Sequence, residues 1–202
     1  MLIIGGGLTT NYKDDSISPT FGEYANSLYE GCPTLFQKER TVVTEFGKSL
    51  IAKSGAIVTL IEDMIYSSTS NDAKLSIAIT HAGADLMLRT AYCPDKFSHR
   101  LELLSNGGEL LSNREKCNVT VAGPLCFSGD VLASNITFAD CKAGDRVVVL
   151  DAGANTLSLH SRHCSRLAPP VYAFRILSDG KVVYSIIKQK ETAEYLLEFW
   201  GP

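Results

Sequence analysis

The sequence predicts an α/β segment followed by a mostly β segment. Three observations carry this. Over residues 1–57, apolar β-branched runs alternate with helical patterns, the order of a parallel β/α unit. Over residues 58–202, short β-branched runs recur between turn residues. Of the 202 residues, 45% are apolar and 20% charged, enough to bury a core and too apolar for wholesale disorder.

The first element is the strand Leu2-Ile3-Ile4, which runs at once into Gly5-Gly6-Gly7. Thr20 to Tyr29 reads as a helix: Thr20 can cap it, Glu23 follows three residues on, and Phe21, Tyr24, Ala25, Leu28 and Tyr29 share one face. Arg40 to Glu45 is a β-branched strand ending in the turn Phe46-Gly47-Lys48, and Ser49 to Ile57 reads as a short helix. Two parallel strands cannot close a doubly wound sheet or a barrel, so other chain segments are expected to complete this unit. Strands then follow at Val58–Ile61, Leu75–Ile79, Asn118–Val121, Arg146–Leu150, Val171–Ile176 and Lys181–Ile187. Turns are expected at Ser70–Asp72, Ser105–Gly108 and Lys142–Asp145, and Ser178-Asp179-Gly180 should join the last two strands as a hairpin. Glu191 to Trp200 closes the chain as a short amphipathic helix.

Several function classes are disfavoured. A formal net charge of −3 gives no basic excess for nucleic acid. No apolar run reaches the roughly 18–20 residues that span a bilayer. The start lacks a basic leader, so a secretory signal is not expected. The six cysteines are scattered without a C-x-x-C pair and are read as reduced thiols of a cytoplasmic protein. His160 and His163, three apart at an expected strand end, are read as satisfied histidines, and no metal site is expected.

Four turns could carry chemistry. Backbone N–H groups at Gly5, Gly6 and Gly7 could approach a phosphate. The dinucleotide fingerprint fails there, because Thr10 stands where the third glycine belongs. Glu45-Phe46-Gly47-Lys48 puts a carboxylate and a cation at the end of a parallel strand, where α/β folds place ligands. Gly123-Pro124-Leu125-Cys126-Phe127-Ser128-Gly129-Asp130 sets a thiol in a loop that Ser128 and Asp130 would hold. Gly153-Ala154-Asn155 follows a strand and could complete a phosphate site. Each alone reads equally as an ordinary turn.

In this order the turns resemble a known family, the pyridoxal-phosphate decarboxylases of the ornithine/diaminopimelate/arginine group. That family shows Gly-Gly-Gly, then Glu-Pro-Gly-Arg, then Gly-Pro-x-Cys-Glu/Asp-x-x-Asp, then Gly-Ala-Tyr. The stretch Gly83 to Tyr92 is similar to its segment ending Arg-Pro-Ala-Leu-Tyr, and Glu191-Thr192 to its closing Glu-Thr. The resemblance spans the chain but only the C-terminal half of the family's length. It implies the C-terminal end of a (β/α)8 barrel over residues 1–57, then a mostly antiparallel β-barrel or sandwich domain over 58–202. It also implies pyridoxal 5'-phosphate, an amino-acid substrate and a homodimer with shared active sites. Gly5, Gly6, Gly7, Gly47, Lys48 and Asn155 would lie at the cofactor phosphate, and Glu45 would pair with the pyridinium nitrogen. Arg89, Phe127 and Asp130 would face the substrate, and Cys126 would donate a proton across the dimer interface.

The departures are specific. Phe46 replaces the family's Pro. Lys48 replaces its Arg, which keeps the charge and loses the bidentate fork. Phe127 replaces the acid that meets the substrate's distal amine, and Asn155 replaces the phosphate-binding Tyr. No lysine stands in the context of the Schiff-base lysine. The expected function is therefore an amino-acid decarboxylase present as a C-terminal part, inactive by itself; the alternative is an inactive homologue acting as a dimerisation or regulatory partner.

Overall fold

β1 (Leu2–Ile3) and β2 (Val42–Val43) form a parallel pair with Leu2 opposite Val42. The coordinates are a computed structural model describing residues 1–37, 39–68 and 74–201. Between the two strands lies α1 (Phe21–Gly31), whose start has the expected capping box: the Thr20 hydroxyl accepts from the Glu23 N–H and the Glu23 carboxylate accepts from the Thr20 N–H. β2 is shorter than the run Arg40–Glu45, because β1 offers it two residues of ladder. The helix expected over Ser49–Ile57 is shorter too. α2 covers Lys48–Ile51 and tightens into a 3₁₀ turn at Ala52–Ser54. It stops there because Gly55 crosses the backbone of Gly153, with Ala152 N–H donating to the Gly55 carbonyl at 2.8 Å.

The second segment is built on one six-stranded sheet in the order β5-β8-β3-β4-β6-β7. Its strands are β3 (Ile57–Ser68), β4 (Lys74–Thr80), β5 (Leu101–Leu104), β6 (Lys116–Ala122), β7 (Val131–Ala139) and β8 (Arg146–Val149). The sheet is mixed rather than wholly antiparallel, since β4 and β6 run parallel. β3 holds it together: residues 57–60 pair with β8, and 61–68 pair with β4 across a register shift at Ile61/Asp63. The turn expected at Ser70–Asp72 lies outside the described residues. Those at Ser105–Gly108 and Lys142–Asp145 form, with Gly108 and Gly144 at φ +88° and +92°.

The core gathers along this sheet. Ile61, Val119, Val121, Val147 and Val149 are wholly buried, and Met87, Leu103, Leu132 and Phe138 pack with them. Val119 and Val121 alternate with Asn118 and Thr120, the period of a strand with one covered face. The β5 and β7 strands and the short helix α3 (Leu88–Tyr92) were not among the expected elements. β9 (Val171–Ile176) and β10 (Val182–Lys188) make the expected hairpin, paired to each other, and α4 (Ala193–Trp200) follows. Among the described residues, no helix is long and apolar enough to cross a membrane.

Candidate functional site

The β1/β2 pair sets the triple glycine beside Glu45. The Glu45 N–H donates to the Gly5 carbonyl at 2.8 Å, continuing the ladder by one bond. A Cβ on Gly6 would lie 2.7 Å from the Glu45 carbonyl oxygen, so this close approach admits no side chain. Gly5 and Gly7 take φ +75° and +103°, which L side chains rarely adopt. The Glu45 side chain is exposed at the strand end. Phe46 explains its own departure from proline. Its ring stacks on Phe21 at 5.5 Å and meets the Tyr24 edge at 4.9 Å, tying α1 to the end of β2.

Two cations share the next stretch. The Arg89 guanidinium lies 4.0 Å over the Phe97 ring. Burial pushes the Lys48 ammonium below the usual lysine range, and the like charge of Arg89 pushes it further. Neither forms an ion pair among the described residues, whereas Arg100, Arg114, Arg162 and Arg166 are each paired with a carboxylate. The Tyr12 ring packs edge-on against Phe97 at 4.9 Å, and burial raises its phenol pKa while Arg89 opposes that rise. His99 completes the aromatic group at 4.9 Å from Phe97. Its Nδ1 lies 2.9 Å from the Leu150 carbonyl, so that nitrogen carries the donated proton. Burial holds its pKa below the usual histidine range.

The segment from Thr10 to Lys53 also holds buried polar atoms with no partner among the described residues: Thr10 Oγ1, Tyr12 OH and Ser49 Oγ. Thr10 and Ser49 line one cavity of about 290 Å³ with Lys53. Unpartnered buried hydroxyls are costly unless a ligand or water meets them. Lys48, Arg89 and Tyr12 are not among the residues that line this cavity, and its Lys53 is paired with Asp151 at 3.4 Å. Sequence reasoning gave no binding role to Tyr12, Thr10, Ser49 or His99, because the spacing of residues shows nothing of which hydroxyls are buried without a partner.

Gly153 brings the fourth turn against the same segment. Its N–H donates to the Ala52 carbonyl at 2.8 Å, and any Cβ there would collide with the Ile51 carbonyl. Asn155 sits at φ +56°, a left-handed conformation that asparagine tolerates better than tyrosine. Beside this turn, Asp151 is buried and accepts two bonds from Arg100 at 2.8 and 3.1 Å. Burial would raise its pKa, but Arg100 and then Lys53 hold it below the usual range.

The cysteine loop is held from inside. Asp130 is buried at 3% exposure, and its oxygens accept from Ala84 N–H and Leu125 N–H, each at 2.6 Å. Its carboxylate fills the space where Gly83 and Gly123 lack side chains. Asp130 thus supports the loop from within, as its place in the motif led one to expect. Phe127 is exposed and sets its ring edge-on to His163 at 5.9 Å. Cys126 is exposed with its sulfur 3.4 Å from that of Cys164. His160 follows the 3₁₀ turn Leu157–Leu159 and His163 opens another, rather than standing at a strand end.

A family model described as the C-terminal sheet domain of pyridoxal-dependent decarboxylases matches residues 29–153, more than half the chain. A diaminopimelate decarboxylase of Neisseria meningitidis serogroup A is 29% identical over 193 residues, covering 96% of this chain and 42% of its own length. A probable chloroplastic diaminopimelate decarboxylase of Oryza sativa is 28% identical over 200 residues, covering 98% of this chain and 37% of its own. The chain thus spans about two-fifths of the length of these relatives. The crystal structure of Helicobacter pylori diaminopimelate decarboxylase complexed with L-lysine superposes with a TM-score of 0.76 at 22% identity. The match covers 98% of this chain and 44% of that one, a likeness of fold.

Proposed function

The chain belongs to the pyridoxal-dependent decarboxylases through their C-terminal sheet domain, and on that premise we propose that it forms part of an amino-acid decarboxylase that uses pyridoxal 5'-phosphate. Residues 1–57 are the end of a barrel and 58–202 the β domain. Backbone N–H groups of Gly5, Gly6 and Gly7, with Gly47, Lys48 and Asn155, hold the cofactor phosphate. Glu45 faces the pyridinium nitrogen and keeps its proton. When bound, the cofactor takes up the electron pair left as carbon dioxide departs. Arg89 faces the substrate's carboxylate, and Phe97 beneath its guanidinium fixes the plane it presents. Cys126 delivers a proton to the carbon that lost its carboxyl, across the interface of a homodimer.

The observation that supports this best is local: Glu45 is bonded to the glycine turn, and Lys48 and Arg89 stand nearby without an anion. The relatives make diaminopimelate the first substrate to assay. Phe127 puts a phenyl ring where the family has an acid, so recognition of a distal ammonium is altered. The experiment is carbon dioxide release by the protein containing this chain, with diaminopimelate, lysine, ornithine and arginine. Release from one of them is expected, and E45Q should slow it by roughly a hundredfold or more, as lost electrostatic stabilisation does. No turnover on any of them with cofactor bound overturns the reading. It would favour the second one, a regulatory partner, which Phe127 and Asn155 motivate.

A further inference from the structure

We propose that Cys126, His163 and Cys164 form a binding site for a thiophilic divalent cation of the zinc class, with one coordination position left to solvent. The two sulfurs are 3.4 Å apart, and a ring nitrogen of His163 lies within 4.8 Å of both. Two thiolates and one imidazole are donors that zinc favours, and zinc sites with three protein ligands leave an open position. The ligands come from two loops far apart in sequence, 123–130 and 161–166.

Both loops are anchored before any cation arrives. Asp130 fixes the first through Leu125 N–H and Ala84 N–H. Two ion pairs fix the second at its ends. Arg162 makes a bidentate bond to Glu191 at 2.8 and 2.9 Å, and Arg166 reaches buried Asp85 at 3.2 Å and the His81 carbonyl. Between these anchors Cys164 and Ser165 are both held at φ +55°, which aims the Cys164 sulfur at Cys126. Backbone in this region costs energy for a side chain other than glycine and persists only where the surroundings fix it. The Phe127 ring buttresses His163 from the side. Such anchoring sets the donors in place before binding, which is what a selective site needs.

Without a cation the two sulfurs meet each other at 3.4 Å. On binding a divalent ion, each thiol gives its proton to solvent and its lone pair to the metal. A cation held here withholds the Cys126 proton from any reaction that uses it. The site does not depend on the decarboxylase reading.

The test is a titration of the reduced 202-residue chain with Co²⁺, followed by Zn²⁺ competition against a chromogenic chelator. One equivalent of Co²⁺ should bind with a sulfur-to-cobalt charge-transfer band, and Zn²⁺ should displace it. C164S and H163A should each weaken Zn²⁺ binding by more than about a hundredfold, beyond the loss typical of an outer-shell partner. C32S, at an exposed cysteine in another turn, should leave it unchanged. Affinity should fall as the pH is lowered. Circular dichroism matching the parent confirms that each variant folds. Cobalt bound without a thiolate band overturns the proposal, as does zinc affinity undiminished in C164S or H163A. So does a reduced protein that takes up no metal while oxidised glutathione joins Cys126 to Cys164.

Discussion

Replacing Gly6 with alanine sets a methyl group 2.7 Å from the Glu45 carbonyl oxygen, a backbone atom that cannot swing aside. G6A should therefore cost about 1–3 kcal/mol, the range for overpacked sites, and shift Glu45 from the glycine turn. Denaturant midpoints check the first and cofactor titration the second. Asp130 carries the opposite kind of dependence. It is a buried carboxylate whose removal strands two backbone N–H groups. D130A should cost about 2–4 kcal/mol, combining a lost charged hydrogen bond with unpaired donors, and the melting temperature reads it. At this scale the sequence was partly legible. Glu45, Lys48 and the glycines announce themselves by spacing. Tyr12, Ser49 and Cys164 do not, because their roles depend on neighbours tens of residues away.

Among the elements, α1 is an exposed helix. None of its residues is buried, so its stability rests on local terms such as the Thr20 cap. T20A should lower stability by about 1 kcal/mol. G22A, whose added methyl meets nothing closer than 3.9 Å, should raise helix stability by roughly 0.5–1 kcal/mol. Far-ultraviolet circular dichroism under urea separates the two. The segments 151–155 and 161–168 depend instead on carboxylates. Arg100 and Lys53 outweigh burial at Asp151, and the bond from Arg162 lowers Glu191, so both carboxyls titrate below their unfolded values. A depressed folded pKa contributes stability above the unfolded value and loses it as protons bind. The share of the urea midpoint that these carboxylates set should be lost below about pH 4, after an earlier decline that begins near pH 6.5, where the unfolded chain protonates His99 and burial resists that charge in the folded one. Strand positions came from β-branched runs and held for β3, β4, β6, β8, β9 and β10. The helix expected to Ile57 failed because Gly55 must cross Gly153, a contact nearly a hundred residues distant. β7 went unseen because exposed Ser134 and Asn135 interrupt its alternation, and β5 because four residues are too short a run to stand out.

Across the whole molecule, burial is uneven. Among the described residues, Leu8 and Ala52 are the buried apolar side chains of residues 1–57, while the strands β3 to β8 and the loops beside them hold the rest. Amide exchange should follow this: slowest in β3, β6 and β8, and fast in β1, β2 and α1, where opening exposes little apolar surface. Exchange mass spectrometry on the chain checks it, and equal protection in both segments would contradict the picture. Light scattering should give twice the mass of one chain for the proposed homodimer.

By itself, the sequence determined the two textures, the hairpin, the capped helix and the order of four chemical turns. All of these are local, because period, caps and turn residues act within a few positions. Only the tertiary structure decided which turns meet. It set Glu45 on the glycine bend, crossed Gly153 under Ile51, took Asp130 inside to carry the cysteine loop, and brought Cys164 and His163 to Cys126. Those pairings follow from close packing between distant segments, where a missing side chain or a buried carboxylate fits one partner alone.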